Sequence, residues 1–201
     1  MGSCYLKTQD YFTHSRIDQH IIEIGSDRYE GSTAFFGKMA SVHHLWLDTV
    51  DLDRACAYRI QKTAGDYIQR IKFHNADGEE WAFQYKGPEI HTVYLDNFDW
   101  DWEPGNPNRM IEEQRVWYAL RGIDMNNDNC QEAHLRQMVH LMEYMADDSI
   151  VCIDDTYLLD GEYTGKGGTT IPFLITNGYR VLHNKDYGVI LGSGKYRESV
   201  I

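Results

Sequence analysis

The stretch that decides the fold is Ile21-Ile22-Glu23-Ile24-Gly25-Ser26-Asp27-Arg28-Tyr29-Glu30-Gly31-Ser32-Thr33. A short apolar run leads to the first glycine, a polar loop follows, and the second glycine precedes Ser-Thr and an apolar segment. This order predicts a buried strand, a tight turn and a helix N-terminus, which is where an open α/β sheet receives a nucleotide-like ligand. Glycine lets the backbone approach a ligand closely, and the free N–H groups of the helix face it.

The bulk composition predicts one acidic domain over residues 1–201, of which 42% are hydrophobic. A net charge of −12 argues against a nucleic-acid partner and against an anionic membrane surface. No apolar run approaches the roughly 20 residues that span a bilayer, and the N-terminus lacks the apolar core of a signal peptide. The four cysteines form no CxxC pair, so we expect a reduced, cytoplasmic protein, with a homo-oligomer left open.

Strand and helix signals alternate along the chain. Strands are predicted near residues 21–24, 43–50, 67–73, 90–95 and 149–153, with a closing pair at 179–183 and 187–191. Helices join them, most clearly over 131–146. The pattern predicts a doubly wound, Rossmann-like α/β fold whose seven-stranded sheet is mostly parallel, with one antiparallel strand near the C-terminus. Residues 97–129, rich in Trp, Asp and Asn, are interpreted as an inserted segment that faces the substrate.

Acidic side chains follow the predicted strands, at the edge where ligands bind in such a sheet. Asp51 comes directly after the second strand, where a carboxylate can accept hydrogen bonds from both hydroxyls of a ribose. Asp53 is the competing candidate, although its position is more typical of a helix N-cap.

Three further carboxylates, Asp96, Asp154 and Asp155, end the fourth and fifth strands, which are usually neighbours in this topology. Carboxylates brought together without compensation raise one another's pKa. A hard divalent cation such as Mg²⁺ removes that cost by binding their oxygens. We therefore predict a metal site at these three residues. The alternative is that one aspartate caps a helix and the others are solvated.

Two other segments carry weaker signals. Residues 161–168 contain several glycines and Lys166, but their spacing does not fit a phosphate loop and no Ser or Thr follows the lysine, so a flexible loop is predicted. Trp100 and Trp102 alternate with acidic residues, and they are candidates either to line a substrate cleft or to pack under the inserted segment.

The chain resembles a class I S-adenosylmethionine (SAM)-dependent methyltransferase over about residues 18–192. The resemblance rests on Glu23-Ile24-Gly25 through Gly31-Ser32-Thr33, on Asp51, and on Ala76-Asp77-Gly78. It implies that SAM is the cofactor, with its ribose at Asp51 and its adenine beside the Ala76-Asp77-Gly78 turn. The implied cofactor-binding residues are Glu23, Gly25, Ser26, Gly31, Ser32, Thr33, Asp51, Ala76, Asp77 and Asp96.

The pairing of Leu95-Asp96-Asn97 with Ile153-Asp154-Asp155 further resembles metal-dependent O-methyltransferases of the catechol and macrocin types, which hold magnesium at these positions. Catechol-type enzymes have a catalytic lysine three residues after the fourth-strand acid, and this chain has Asp99 there. The resemblance implies Mg²⁺-assisted methyl transfer to a hydroxyl of a small molecule or glycan, with Asp99 and Asp96 as catalytic candidates. Either Asp99 takes the role of base, or the mechanism relies on the metal and another group.

Two rival functions remain from the sequence. One is an NAD-dependent oxidoreductase, disfavoured because Asp27 replaces the second glycine of G-x-G-x-x-G and the third is missing. The other is a methyltransferase-fold protein that binds the cofactor without transferring a methyl group.

Overall fold

The computed structural model describes residues 3–26, 31–102 and 109–197. Within these residues the strands are β1 (His20–Ile24), β2 (Trp46–Asp51), β3 (Ile71–Asn75), β4 (Ile90–Leu95), β5 (Met145–Asp154), β6 (Thr156–Leu159), β7 (Glu162–Gly165), β8 (Arg180–Lys185) and β9 (Gly188–Gly192). The α-helices are α1 (Ser32–Val42), α2 (Ala55–Thr63), α3 (Gly78–Gln84), α4 (Arg109–Ala119), α5 (Asn127–Leu141) and α6 (Thr170–Thr176). Short 3₁₀ helices cover Cys4–His14, Gly65–Arg70, Met142–Tyr144 and Gly194–Arg197.

Seven strands form one sheet in the order β3-β2-β1-β4-β5-β9-β8. Neighbours from β3 to β5 pair in parallel, whereas β9 pairs antiparallel with both β5 and β8. The predicted fold class is confirmed: this is a Rossmann-like α/β fold with a mostly parallel sheet and an antiparallel strand near the C-terminus. The order places the carboxyl ends of β1, β2 and β4 side by side, with β5 beside β4.

The two faces of the sheet carry separate hydrophobic clusters, because successive side chains of a strand point to opposite faces. On one face, Ile22 and Ile24 of β1 pack in a cluster with Ala82 of α3, Met138 of α5 and Leu174 of α6. All five side chains are at most 1% exposed. This burial fixes α3, α5 and α6 against the sheet.

The opposite face is covered by α1 and by the N-terminal 3₁₀ helix. Ile21 of β1 and Tyr94 of β4 pack there with Phe36 of α1 and Phe12 of the 3₁₀ helix. Cys152 lies in the same cluster and is fully buried.

The helix predicted over 131–146 extends too far. In the structure α5 ends at Leu141 and β5 begins at Met145, which pairs with Ile90 in the sheet. Val139, an apolar residue near the end of α5, is 48% exposed. Pairing with β4 thus overrides the helical spacing of the last apolar residues.

Residues 161–168 are not the flexible loop that the sequence predicted, because β6 and β7 form an antiparallel hairpin. Leu159 pairs with Glu162, and Thr156 pairs with Gly165. The two residues between the strands, Asp160 and Gly161, have φ values of +51° and +86°. Asp-Gly at such a turn is the strongest short-range hairpin signal, and the sequence carried it.

No helix in the described ranges combines the length and the hydropathy needed to cross a membrane.

A buried carboxylate connects the three strands β1, β2 and β3. Asp48 of β2 lies 2.5 Å from Nδ1 of His20 on β1 and 2.6 Å from Nε2 of His74 on β3. Burial opposes the charged form, but the hydrogen bonds and charges of the two histidines outweigh it and lower the pKa of Asp48 to about 2.

We expect Asp48→Asn to destabilise the protein in a pH-dependent manner. A folded-state pKa below the unfolded one contributes stability that is present above about pH 4 and is lost as the pH falls towards 2. The shift corresponds to a loss of about 2 kcal/mol in the free energy of unfolding at pH 7. Urea denaturation of wild type and variant between pH 3 and pH 7 measures this loss. Asp66→Asn is the matched control, because Asp66 is exposed. A loss that does not shrink towards pH 3 would contradict the assignment.

Candidate cofactor and acceptor site

The fully buried Glu23 side chain organises the carboxyl end of β1. The Ser32 hydroxyl donates to its Oε1 at 2.7 Å, and the hydroxyls of Thr33 and Thr49 donate to Oε2 at 2.7 and 2.6 Å. These bonds hold the first turn of α1 and the strand β2 against β1. Three residues predicted to bind the cofactor, Glu23, Ser32 and Thr33, therefore meet in one network.

The two glycines of the loop adopt backbone conformations that other residues rarely reach. Gly25 has φ +97°, and a Cβ there would lie 2.4 Å from the backbone nitrogen of Asn97 and 2.5 Å from the carbonyl carbon of Asp96. Gly31, with φ +93°, directly precedes α1. Residues 27–30, which include Asp27, lie outside the described residues. The loop thus leaves β1 in close contact with the segment after β4.

Asp51 and Asp53 have different roles in the structure. Asp51 is 7% exposed, and it accepts from the backbone N–H of Ser26 at 3.1 Å and of Asp53 at 2.6 Å. The carboxylate of Asp53 accepts from the backbone N–H of Ala55 at 2.9 Å and pairs with Arg59 at 2.9 Å. Asp53 therefore holds the start of α2, although the N-cap residue is Arg54, one position later than the helix-cap alternative.

A cavity of about 320 Å³ opens at the carboxyl ends of β1 to β4. Residues predicted for the cofactor line it together with side chains of α4 and α5, among them Asp51, Ala76, Asp77, Asn97, Tyr118 and Gln137. Asp77 also caps α3, since its Oδ1 accepts from the backbone N–H of Glu79 and of Glu80 at 2.9 and 3.0 Å.

Two acceptor atoms at this cavity are unsatisfied. In the part of the chain that the structure describes, the buried oxygens Oδ1 of Asn97 and Oε1 of Gln137 have no hydrogen-bond partner. Gly78 lets both amide groups pack closely against the backbone, because a Cβ there would lie 2.9 Å from Nε2 of Gln137 and 3.3 Å from Nδ2 of Asn97. Buried polar atoms without partners are rare, and a bound donor group would satisfy them.

Described residues of the predicted insertion, among them Asn97, Phe98, Tyr118 and Asn129, form one wall of this cavity. The ring of Phe98 stacks on Tyr118 with centroids 5.0 Å apart, and the Tyr118 hydroxyl accepts from the backbone N–H of Asp99 at 3.0 Å. Asp99 itself lines a separate depression beside Met110 and Trp117. The predicted catalytic candidate therefore lies next to the cavity rather than among the residues that line it.

The two tryptophans of the segment differ in how far they are exposed. Trp100 is 9% exposed and is packed in the protein. Trp102 is 45% exposed, and its ring stacks on Tyr157 of β6 with centroids 5.6 Å apart and planes 18° from parallel.

The three acids predicted to bind metal do converge, but around a lysine. The Lys166 ammonium lies 2.6 Å from Oδ1 of Asp96 and 3.0 Å from Oδ2 of Asp155. The Tyr94 hydroxyl lies 3.2 Å from Oδ2 of Asp96 and 3.1 Å from Oδ2 of Asp154. Over the described ranges, no group of three or more His, Cys, Asp or Glu side chains is arranged to hold a metal ion. The structure therefore does not support the predicted Mg²⁺ site, because the Lys166 ammonium already lies between the carboxylates of Asp96 and Asp155.

Burial and mutual repulsion perturb this acidic cluster. Burial, together with the charges of Asp96 and Asp155, raises the pKa of Asp154 to about 7. Burial also raises the pKa of Asp96, an effect that the Lys166 ammonium opposes. Burial lowers the pKa of Lys166, but Asp96 and Asp155 raise it by more and keep the ammonium charged. The cluster therefore holds more carboxylates than one ammonium neutralises.

Sequence reasoning missed Lys166 and Tyr94 as members of this site. The turn Asp160-Gly161 was the available signal for the lysine, because the hairpin it closes returns the chain to the end of β5. No sequence signal separated Tyr94 from the other buried residues of β4.

No protein-family model matches the chain, and no curated protein matches it at the level of sequence. Solved structures do match. A putative rRNA methylase from Clostridium thermocellum superposes with a TM-score of 0.60 at 13% identity, covering 96% of each chain. An rRNA methylase from Streptococcus thermophilus gives 0.57 at 10% identity, covering 97% of this chain and 99% of the other. A putative methyltransferase from Streptococcus mutans, in complex with SAH, gives 0.54 at 9% identity, covering 93% and 95%.

These similarities correct one expectation from the sequence. A small-molecule or glycan acceptor with nucleic acid excluded was the wrong prediction, since two structures that share this fold over nearly their whole length are named rRNA methylases. A net charge of −12 describes the whole surface and does not exclude a nucleic-acid acceptor at one site. The fold of this chain is that of the class I SAM-dependent methyltransferases.

Proposed function

We propose that this protein binds SAM in the cavity at the carboxyl ends of β1 to β4 and transfers its methyl group to an oxygen atom of an acceptor. One observation carries the proposal. The cavity brings together Asp51, Ala76 and Asp77, the residues that the sequence resemblance assigned to the adenosine half of SAM. Ligands of open α/β sheets bind at this edge.

The chemistry of the lining fits an adenosine group. Asp51 accepts from the backbone N–H groups of Ser26 and Asp53, which fixes its carboxylate at the end of β2. An acid at this place in such a fold is the group that accepts from ribose hydroxyls. The unsatisfied oxygens of Asn97 and Gln137 need donors, and the exocyclic amine of adenine is one. The volume of about 320 Å³ lies within the usual range of ligand sites.

The charge of the lining favours SAM over NAD. Asp51, Asp77, Glu79 and Glu132 line the cavity, and Arg136 is already paired with both glutamates. This negative lining attracts the sulfonium and ammonium groups of SAM. It repels the pyrophosphate of a dinucleotide, so the oxidoreductase alternative is not supported.

The residues of the chain would supply binding and orientation. SAM, when bound, supplies an electrophilic methyl group on its sulfonium. The Glu23 network fixes the elements at the two ends of the loop between β1 and α1. The backbone of Asp96 lies directly beside Gly25, and its carboxylate is held by Lys166 and Tyr94. We assign to Asp99 the role of general base, or of the hydrogen-bond partner that orients the acceptor hydroxyl.

RNA is the first acceptor class to test, because two solved structures with this fold are named rRNA methylases. The acidic surface offers little attraction to phosphates, so binding would rest on stacking and hydrogen bonds. The exposed ring of Trp102 is one such stacking surface. Transfer of labelled methyl groups from SAM to ribosomal RNA, followed by alkaline hydrolysis, detects methylation of ribose hydroxyls. Cofactor binding without transfer to any acceptor would favour the non-catalytic alternative.

We also propose a cytoplasmic location. The four cysteines Cys4, Cys56, Cys130 and Cys152 are all buried, free thiols. A reducing compartment keeps such thiols reduced.

Replacement of Asp51 tests cofactor binding directly. Asp51→Asn removes the charge that strengthens hydrogen bonds to the ribose, and each charge-assisted bond contributes about 1.5–3 kcal/mol. We expect affinity for SAM and for SAH to fall about 10- to 100-fold in calorimetry. Asp53→Asn is the matched control, because Asp53 holds α2 instead, and it should bind almost as wild type does. Unchanged affinity in Asp51→Asn would place the ribose elsewhere.

Filling the cavity provides a second, steric test. Ala133 lines it on α5, so Ala133→Phe should occupy space needed by the adenosine group and weaken SAH binding at least tenfold. Val139→Phe, at a 48% exposed position of the same helix, is the control. Equal binding by both variants, with thermal melting showing that both fold, would show that the ligand does not use this cavity.

Asp99→Asn tests the acceptor side. General bases contribute about 10²- to 10⁴-fold to the rate. Once an acceptor is in hand, kcat should fall within that range while SAM affinity stays nearly constant, because Asp99 lies outside the cavity. Full activity in this variant would remove Asp99 from the mechanism.

A further inference from the structure

Lys166 is a charged side chain held almost entirely away from solvent. Its side chain is 3% exposed, and its ammonium contacts Asp96 at 2.6 Å and Asp155 at 3.0 Å. It also lies 3.4 Å from the backbone carbonyl oxygen of Asp96. The ammonium therefore bridges the carboxyl ends of β4 and β5.

The backbone that delivers this lysine is constrained. Gly165 has φ +82°, and a Cβ there would lie 2.0 Å from the carbonyl oxygen of Asp155, so only glycine fits before Lys166. Asp155 itself has φ +45°, an unusual conformation for a residue with a side chain. The N–H of Lys166 donates to the Asp155 carbonyl at 3.0 Å. Strained backbone of this kind concentrates at functional sites.

Stability alone does not explain a buried ion pair here. Replacing such a pair with well-packed apolar residues is often neutral or stabilising. The cluster is also incompletely satisfied, because the buried Oδ1 of Asp154 has no hydrogen-bond partner among the described residues. Because burying these charges and this oxygen costs free energy of folding, the arrangement is better explained by a role in orienting carboxylates than by a contribution to stability.

The cluster adjoins the proposed cofactor loop. Asp96 contacts Lys166 through its side chain, while a Cβ at Gly25 would lie 2.7 Å from its carbonyl oxygen. A change in the orientation of Asp96 therefore acts directly beside the end of β1. The second oxygen of Asp96 lies 3.2 Å from the Tyr94 hydroxyl, so the carboxylate is held from two sides.

We propose that Lys166 is the positioning residue of the acceptor side: its ammonium stands where the sequence predicted a divalent metal and fixes the carboxylates of Asp96 and Asp155. The part of this proposal that concerns methyl transfer rests on the proposed function. The part that concerns charge compensation does not. Lys166 acts through the carboxylates and is not itself a catalytic residue.

A split between kcat and cofactor affinity tests the positioning role. Lys166→Met keeps the length of the side chain and removes its charge, so kcat should fall about 100-fold, the scale of a misplacement by about 1 Å. The Kd for SAM should change less than about threefold. Lys166→Arg restores a cation and should recover most of kcat, which a purely structural effect of lysine removal would not predict. Wild-type kcat in Lys166→Met would overturn the positioning role.

Gain of metal binding tests the charge-compensation part without any activity assay. Lys166→Ala leaves the carboxylates of Asp96, Asp154 and Asp155 around an open space. We expect Mn²⁺ at about 1 mM to raise the Tm of this variant by several degrees and to leave wild-type Tm unchanged. The double variant Lys166→Ala/Asp155→Asn should lose most of that response. A folded Lys166→Ala protein that ignores Mn²⁺ would overturn this part.

The two tests fail independently. If wild type neither binds SAM nor transfers methyl groups, the proposed function falls while the Mn²⁺ response of Lys166→Ala still decides whether the ammonium stands in for a cation. If Lys166→Ala or Lys166→Met does not fold, Asp155→Asn keeps Lys166 paired with Asp96 alone, and a drop in kcat with unchanged SAM affinity supports the proposal. Unchanged kcat in Asp155→Asn would overturn the role of that contact.

Discussion

The Glu23 carboxylate is the interaction on which the candidate cofactor site depends. It is fully buried, and three hydroxyls satisfy it from the start of α1 and from β2. A buried carboxylate costs several kcal/mol unless donors surround it, so its position fixes the position of each donor. The loop between β1 and α1 therefore begins and ends on elements that one charged group holds together. Ser26 extends the network, because its hydroxyl lies 2.7 Å from that of Thr49 while its N–H donates to Asp51.

The sequence predicted the central strands well because burial on both faces leaves a continuous apolar run. β4 occurs at the predicted residues, 90–95, and the core of β1 occurs at 21–24. Asp51 was placed at a strand end by the same reasoning, and it lines the cavity. These features depend on neighbours in sequence, which is the information a single chain displays.

The features that the sequence did not predict depend on partners far away in the chain. Lys166 lies 70 residues from Asp96, and only the pairing of β6 with β7 brings it to the end of β5. The convergence of the acids was visible from the strand ends, but the identity of their counter-ion was not. A metal ion and an ammonium both compensate the negative charge of clustered carboxylates, so the pattern of charges in a sequence does not distinguish the two.

An ammonium and a divalent metal ion nevertheless differ in their charge and in the ligands that they can bind. A metal ion carries two charges and open coordination positions, through which it binds an acceptor oxygen and lowers its pKa. A lysine carries one charge and three donors, two of which are directed here to Asp96 and Asp155. It fixes carboxylates without neutralising them all, as the raised pKa of about 7 at Asp154 indicates. The cluster at the carboxyl ends of β4 and β5 therefore keeps its carboxylates in orientations set by protein donors. Under the function proposed above, this arrangement suits a reaction limited by alignment of the acceptor oxygen rather than by strong polarisation of it.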